Sequence, residues 1–358
     1  MFEAHNTFLA DLAAFIRQRR LLQSGQSVLV AVSGGPDSMA LAAALLELGG
    51  YDVHLAHVNH CIRPDAEADA QFVRESAQAW GVDCHVETVD VPALARRTGL
   101  GIEEACRVGR YDALISMARR LRISAVAVAH HRDDQVETVL HRLFRGTHLR
   151  GLTGMQERRR LAEGLWLIRP LLWASRSQIE EFCRQRKLAW RTDSTNQEVD
   201  YTRNFIRLTL LPLLRERINP KVDEAVWRLS AACVQAKSTL ETLAAEVLER
   251  SIRKSMPGQM VLRLAPLRKA EPFLASLALR LAVERLGVPQ KEFSQERFGD
   301  LLAVISGEMS AADLPGGLRA SSDGKNLTLV FAPIQGQANG PYESQRRMES
   351  GTDGAGED

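Results

Sequence analysis

The chain predicts an α/β fold: a doubly wound parallel sheet followed by a smaller C-terminal α+β domain. Three observations carry that reading. Short buried apolar runs alternate with segments of helical spacing through the first half, the βαβα order of a parallel sheet covered by helices on both faces. Polar clusters follow three of those runs, at the carboxyl strand ends where such sheets bind ligands. At 358 residues the chain also exceeds one ordinary core, so more than one domain is expected.

Met1–Gln18 reads as an amphipathic helix, without the basic head and continuous apolar core of a signal peptide. Val28–Val32, Val53–Val58, His85–Val89 and Ala125–Ala129 read as strands, and Met39–Leu48, Ala66–Trp80 and Ile102–Leu121 as the helices between them. Trp166–Leu172 is a short strand stopped by Pro170. Ser175–Lys187 is a helix with Ser175 as its N-cap, and Asp200–Arg217 a helix interrupted near Pro212. Pro220–Ser255 reads as one long helix, with Val226, Leu229, Cys233, Ala236, Leu240, Leu243 and Val247 as a core-packing stripe between domains. Strand-like Met260–Leu264 and Leu327–Phe331 surround helices at Phe273–Leu286 and Gln295–Ser306. The expected division is therefore 1–219, 220–332 and a disordered, Gly/Gln/Ser/Glu-rich tail at 333–358.

Apolar residues make up 45% and charged residues 25%, the balance of a globular protein, and no apolar run approaches a membrane span. Cys61, Cys84, Cys106, Cys183 and Cys233 are scattered without a Cys-x-x-Cys, which suggests a reducing, cytoplasmic setting and no disulfide framework. The net charge of +2 hides an asymmetry: Arg142 to Arg217 holds sixteen Lys/Arg against eight Asp/Glu. A basic stretch beside a ligand cleft suits a polyanion, although on charge alone a solvated, salt-bridged surface is an equal reading.

The strongest local signal is Ser33-Gly34-Gly35-Pro36-Asp37-Ser38, directly after the first strand. Small residues at a strand-to-helix turn let backbone N–H groups approach a phosphate, and proline fits the first helical turn. Ser33 and Ser38 add hydroxyls, and Asp37 is placed to reach a bound Mg²⁺. No lysine follows the glycines, so this is not the common P-loop. At the second strand's end stands His57-Val58-Asn59-His60, and at the fourth His130-His131-Arg132-Asp133-Asp134-Gln135-Val136-Glu137. Carboxylates in a first helical turn complement the helix dipole, but three beside histidines exceed that need. They suit either Mg²⁺ against ATP oxygens or a cationic amine and its proton. Glu103-Glu104-x-x-Arg107-x-x-Arg110 places two guanidinium forks on one helix face; its bland alternative is a Glu103–Arg107 pair. Arg145 lies in a Gly-broken basic loop, residues 140–155, expected to be mobile. Arg203, Asn204 and Arg207 follow Asp193-Ser194-Thr195-Asn196 and could clamp a nucleotide or RNA phosphate.

Taken in order, these motifs resemble the tRNA(Ile)-lysidine synthases of the N-type ATP pyrophosphatase superfamily. The resemblance is carried by Ser-Gly-Gly-Pro-Asp-Ser, His-Val-Asn-His, Glu-Glu-x-x-Arg-x-x-Arg-Tyr, His-His-x-Asp-Asp-Gln-x-Glu-Thr, Arg-Gly…Gly-Leu-x-Gly-Met and Asp-x-Thr-Asn…Arg-Asn-x-x-Arg, between Ser27 and Pro220. It implies a PP-loop catalytic domain over 1–219 and a helical linker with a small tRNA-binding domain over 220–332. It implies ATP and Mg²⁺ as cofactors, and L-lysine and a tRNA(Ile) with a CAU anticodon as partners. The reaction it implies adenylates C2 of the wobble cytidine, after which the lysine amine displaces AMP and gives lysidine. On this reading Ser33 to Ser38, His57, Arg107 and His130 bind ATP. Asp37, Asp133, Asp134 and Glu137 are catalytic, with Asp37 also the candidate Mg²⁺ ligand. Arg110, Arg145, Arg203, Asn204 and Arg207 contact tRNA or phosphate. A homodimer is left open. The chain departs from the family pattern at Cys61, usually Gly, at Thr147-His148, usually Ser-Gly, and at Thr195, often Ser. The rivals are a tRNA 2-thiolation enzyme of the same superfamily, disfavoured by the lack of Cys-x-x-Cys, and a non-catalytic ATP-binding module, which has no use for the acid cluster.

Overall fold

The computed structural model describes residues 7–62, 65–191, 201–288 and 295–332. The Asp193–Asn196 motif and the expected tail at 333–358 lie outside the described residues. The chain divides into two compact units, residues 1–233 and 234–358.

The first unit runs α1 (Thr7–Gln18), β1 (Ser27–Ala31), α2 (Pro36–Leu48), β2 (Asp52–Asn59), α3 (Ala66–Trp80), β3 (Cys84–Thr88), α4 (Val91–Thr98), α5 (Ile102–Arg120), β4 (Ala125–Ala127), α6 (Arg132–Phe144), α7 (Leu149–Leu152), β5 (Arg158–Ala162), β6 (Leu165–Ile168), α8 (Arg176–Gln185), α9 (Tyr201–Phe205) and α10 (Leu211–Arg217). A π-helical turn, Ile206–Leu210, joins the last two. It forms where Pro212 has no N–H to donate, and Leu211 N–H reaches back to Ile206 O instead. α11 (Val222–Ser251) crosses from the first unit into the second.

The six strands are ordered β3-β2-β1-β4-β6-β5, all parallel except for the β5–β6 pair. Alternate residues of the central strands feed opposite cores. Val28, Val30, Leu55 and Ile168 pack with Leu12, Ile16, Leu41, Leu45, Ile179 and Phe182 of α1, α2 and α8. Leu29, Ala56, Val126 and Leu167 pack with Leu114 and Met117 of α5. Burial on both faces explains why these strands are continuous apolar runs. The order also fixes the site. From β1 the chain moves outward through β2 and β3, then returns to place β4 on the other side of β1. The carboxyl ends of β1 and β4 therefore flank the switch point, where such sheets open a crevice.

Several elements had no sequence signal. β5, Arg-Arg-Arg-Leu-Ala, is a charged edge strand, and charge on an edge resists pairing with other chains while hiding the strand from an apolar-run search. α4 begins at Asp90, whose side chain accepts from Ala93 N–H at 2.8 Å.

The second unit follows α11 with β7 (Ile252–Met256), β8 (Gln259–Arg263), α12 (Leu264–Lys269), α13 (Pro272–Arg285), α14 (Gln295–Ser306), β9 (Ala311–Leu314), β10 (Leu318–Ser322) and β11 (Asn326–Phe331). Its sheet is antiparallel, β7-β8-β11-β10-β9, over a core that includes Leu248, Leu262, Leu279, Leu301 and Leu329. The expected stripe on α11 does not hold. Cys233 of the stripe is buried, but Leu229 (45%) and Leu243 (40%) are exposed, whereas Ser230, Ala244 and Leu248, outside it, are buried. The helix serves a different core at each end, so no single stripe runs its length. It also stops at Ser251, and the expected last turn is the start of β7.

Candidate active site

The loop after β1 is braced from within and behind. Val32 N–H still reaches Ala56 O at 2.8 Å before the chain turns into α2. Gly34 has φ +89°, and a Cβ there would meet only ordinary contacts, Phe72 at 3.5 Å, so backbone conformation and not space demands glycine. Ser38 Oγ donates to Gly35 O (2.9 Å) and accepts from Ser33 N–H (3.1 Å), with Ser33 Oγ 3.2 Å away. Gly35 caps α2 with no side chain, and Pro36 follows it, which leaves the first-turn N–H groups open to an anion. His57 is buried behind the loop. Its Nδ1–H donates to Val32 O at 2.8 Å, and burial holds its pKa below the ordinary value. It supports the loop as a neutral ring.

The chain leaves β4 into two adjacent histidines with opposite charge states. Burial pushes His130 down to about 4, and Arg169 Nε–H donates to its Nδ1 at 3.2 Å. Burial also opposes a charge on His131, but carboxylates outweigh it: Asp37 Oδ2 lies 3.6 Å and Asp134 Oδ2 3.5 Å from its Nε2, and Asp133 Oδ2 3.6 Å from its Nδ1. They raise His131 to about 10, so it is an imidazolium, and it lowers Asp133 to about 2 against the effect of burial. His131 and Arg169 were not singled out from the sequence. The only signal for His131 was its place in the His-His-x-Asp-Asp motif, and for Arg169 a lone arginine before Pro170.

The three acids of α6 do different work. Asp133 accepts from Arg176 N–H at 2.9 Å, at the N-terminus of α8, so it ties two helices together. Asp134 accepts from His131 N–H at 3.0 Å, and its other oxygen accepts from Arg203 Nη2 at 3.2 Å. Glu137 is buried and accepts from Arg203 Nε at 2.9 Å, with Arg207 Nε at 3.8 Å. Burial raises the Glu137 pKa while Arg203 opposes it. Asp37 Oδ1 differs from all of these: it is buried and has no hydrogen-bond partner. That orphaned oxygen beside a phosphate-type loop fits Mg²⁺, which takes one or two carboxylates plus phosphate oxygens. Among the described residues no group of three side chains forms an all-protein metal cage.

Other expected site residues stand apart from this cluster. Arg107 is exposed and pairs with Glu104, three residues back, not with Glu103. Arg110 is exposed but near enough to disfavour charge on His130. Arg145 caps the far end of α6, roughly 16 Å along the helix from Asp134. Asn204 lies on α9 beside Arg203. The expected mobile loop is tied down over its second half. Arg142 donates to Gly151 O and Gly154 O, and Gln135 donates to Thr153 O, Met155 O and Ser230 Oγ while accepting from Met155 N–H.

A parallel sheet with a phosphate-type turn after β1, and acids gathered beside it after β4, defines a PP-loop nucleotide-binding domain. Residues 5–214 match the family described as a PP-loop domain. In fold the chain is similar to the U34-tRNA thiolase of Methanococcus maripaludis, with a TM-score of 0.52 at 16% identity over 63% of this chain and 80% of that one. Its sequence is 38% identical to the tRNA(Ile)-lysidine synthase of Geobacillus kaustophilus over 90% of this chain and 71% of that protein. It is 33% identical to that of Nostoc sp. PCC 7120 over 89% of this chain and 96% of that protein. The match to that of Thermotoga sp. RQ2, 38% identical, covers 65% of this chain and spans just over half (55%) of that protein's length. The chain belongs to the tRNA(Ile)-lysidine synthase family. No helix among the described residues is long and apolar enough to cross a membrane.

Proposed function

We propose that this protein, in the cytoplasm, uses ATP to ligate L-lysine to C2 of the wobble cytidine in the CAU anticodon of a tRNA(Ile). The observation that carries the reading is the juxtaposition at the β1/β4 switch point of an open helix N-terminus with Asp37, His131, Asp134 and Glu137.

Ser33 to Ser38 grip the β- and γ-phosphates, which leave together as pyrophosphate when the C2 oxygen of cytidine attacks the α-phosphorus. Asp37 would hold Mg²⁺ through Oδ1; when bound, the ion neutralises phosphate charge. His131, fixed as a cation, faces Asp37 and Asp134 across 3.6 and 3.5 Å. His130 would face the nucleotide; from outside the acid cluster Arg107 would reach it by leaving Glu104, and Arg110, Arg145 and Asn204 would meet the tRNA backbone.

The lysine amine must be neutral to attack. Glu137, a buried carboxylate with a raised pKa, suits the proton that leaves the ammonium. Its seat is now filled by the Arg203 and Arg207 guanidinium groups, so the substrate ammonium exchanges with an arginine. The ε-nitrogen then bonds to C2, the C2–O bond breaks, and AMP leaves.

Three of the five cysteines are poor nucleophiles for sulfur transfer. Burial raises the pKa of Cys84 and Cys106 and pushes Cys183 up to about 12. The test is incubation with radiolabelled lysine, ATP and CAU-anticodon tRNA(Ile). Label on the tRNA that requires ATP and is lost in Asp37→Ala is the expected result; no transfer with any CAU tRNA overturns the reading.

A further inference from the structure

Arg169 is hard to explain as packing. It is 5% exposed, and no carboxylate lies within 4.0 Å of it among the described residues. A buried guanidinium without an acid partner is costly and needs a reason. Its Nη1–H donates to Gln156 O at 2.6 Å, and its Nε–H donates to His130 Nδ1 at 3.2 Å. The second bond has a chemical consequence. Arginine has no acceptor and does not lose its proton, so the facing Nδ1 must present a lone pair. That excludes the Nδ1–H tautomer of His130 and its imidazolium together. The proton sits on Nε2, which has no protein partner among the described residues and is not sealed from solvent. Nε2–H is therefore the atom that His130 offers to a ligand at the carboxyl end of β4.

We infer that Arg169 is a positioning residue: it locks His130 as a neutral Nε2–H donor for an anionic oxygen of the substrate. The inference rests on the reading of this cleft as a nucleotide site. A neutral donor is suited to the position. The charged groups facing His130 are Asp134 from α6, Arg203 from α9, Arg110 from α5 and Arg169 itself, and the groups acting on Arg169 are Arg142, Arg159, Asp134 and the phenol of Tyr111. An imidazolium there would add to a surplus of cations and would pair with Asp134. A neutral ring instead keeps its N–H for the phosphoryl oxygens, whose charge the arginines already favour.

The test is nitrogen NMR of histidine-labelled full-length protein, with His130→Asn used to assign its signals. Wild type is expected to show His130 as the Nε2–H tautomer throughout pH 5–9, without titration. Arg169→Met is expected to release the tautomer preference and bring a titration midpoint into that window. Its kcat for tRNA-dependent pyrophosphate release should fall by about 10- to 100-fold, with the loss deepening at acid pH along the same titration. Arg169→Lys, which still donates to Nδ1, should restore the tautomer and part of kcat. A wild-type His130 carrying its proton on Nδ1, or an unchanged tautomer in both variants, overturns the inference. A uniform, pH-independent loss in a folded Arg169→Met shows a tether to Gln156 and overturns it too. If the variants do not fold, the wild-type tautomer alone decides. Absence of pyrophosphate release from wild type counts against the proposed reaction and leaves the tautomer result standing.

Discussion

The two loops that flank the switch point prepare for a charged ligand in opposite ways. After β1 the ligand surface is main chain: a glycine at φ +89°, serine hydroxyls cross-linking the turn, and a helix start left uncapped. After β4 it is side chain: two histidines of opposite charge, three acids and the guanidinium groups of Arg169, Arg203 and Arg207. The first is cross-linked by its own serines and carries a single charge, that of Asp37. The second is a balanced set of ions in which each charge depends on a residue from another segment. The difference teaches where specificity resides. On the proposed function, the main-chain loop would hold the phosphates common to any use of ATP, while the ion network would select the nucleophile.

Asp37 belongs to both halves, and its loss is expected to have the largest effect. Asp37→Asn keeps the shape but removes the charge that faces His131 and the orphaned Oδ1. Pyrophosphate release should fall by about 10³-fold with folding unchanged by circular dichroism. Near-normal release would show that the two halves work independently.

Glu137→Gln probes the ion network alone. Lysine incorporation is expected to drop by about 100-fold, while ATP- and tRNA-dependent pyrophosphate release survives. Equal loss of both steps would place Glu137 in adenylation and erase the proposed division of labour.

The pH dependence of stability separates the two loops without any substrate. His131 is raised from 6.5 to about 10, so its contribution is fully present below pH 6.5 and is lost as pH climbs through about 10. Unfolding free energy measured in urea should therefore decline between those limits. His131→Gln should flatten that decline, and an unchanged slope would mean that His131 is neutral when folded.

At the main-chain loop the effects are conformational and smaller. Gly34→Ala meets no close contact, so its cost is that of a left-handed residue, about 1–2 kcal/mol by urea titration. Cys61 offers the reverse experiment. It has φ +51°, its N–H held by Asn59 Oδ1 at 3.0 Å. Cys61→Gly should stabilise by up to about 1 kcal/mol. A loss of stability instead would show that the thiol, exposed as it is, makes a contact worth more than the backbone strain.

The same contrast explains what could be read in advance. β1 and β4 showed plainly, because burial on both sheet faces leaves a continuous apolar signature, and helix Ala66–Trp80 showed by its helical spacing. β5 did not, since an edge strand of three arginines carries none. The α11 stripe misled because periodicity reports that a face is buried, not which of two cores buries it. The motif after β4 marked the right segment, but three acids in one helical turn look alike along the chain. Only tertiary partners sort them: the N-terminus of α8 claims Asp133, His131 and Arg203 share Asp134, and Arg203 with Arg207 covers Glu137.

What the sequence determined by itself was local: the strand-turn-helix at Ser33–Ser38, the alternation that makes a doubly wound sheet, and the ordered motifs that mark the family. Those features follow from backbone sterics and side-chain period, which neighbours along the chain decide. The tertiary structure decided the charges. Whether His130 is neutral and His131 cationic, and whether Arg169 faces an acid or a ring nitrogen, depends on burial and on groups such as Asp37 and Arg169 that lie tens of residues from the histidines, together with the acids of their own helix turn. Electrostatic energy falls with distance through space, and distance along the sequence does not enter it.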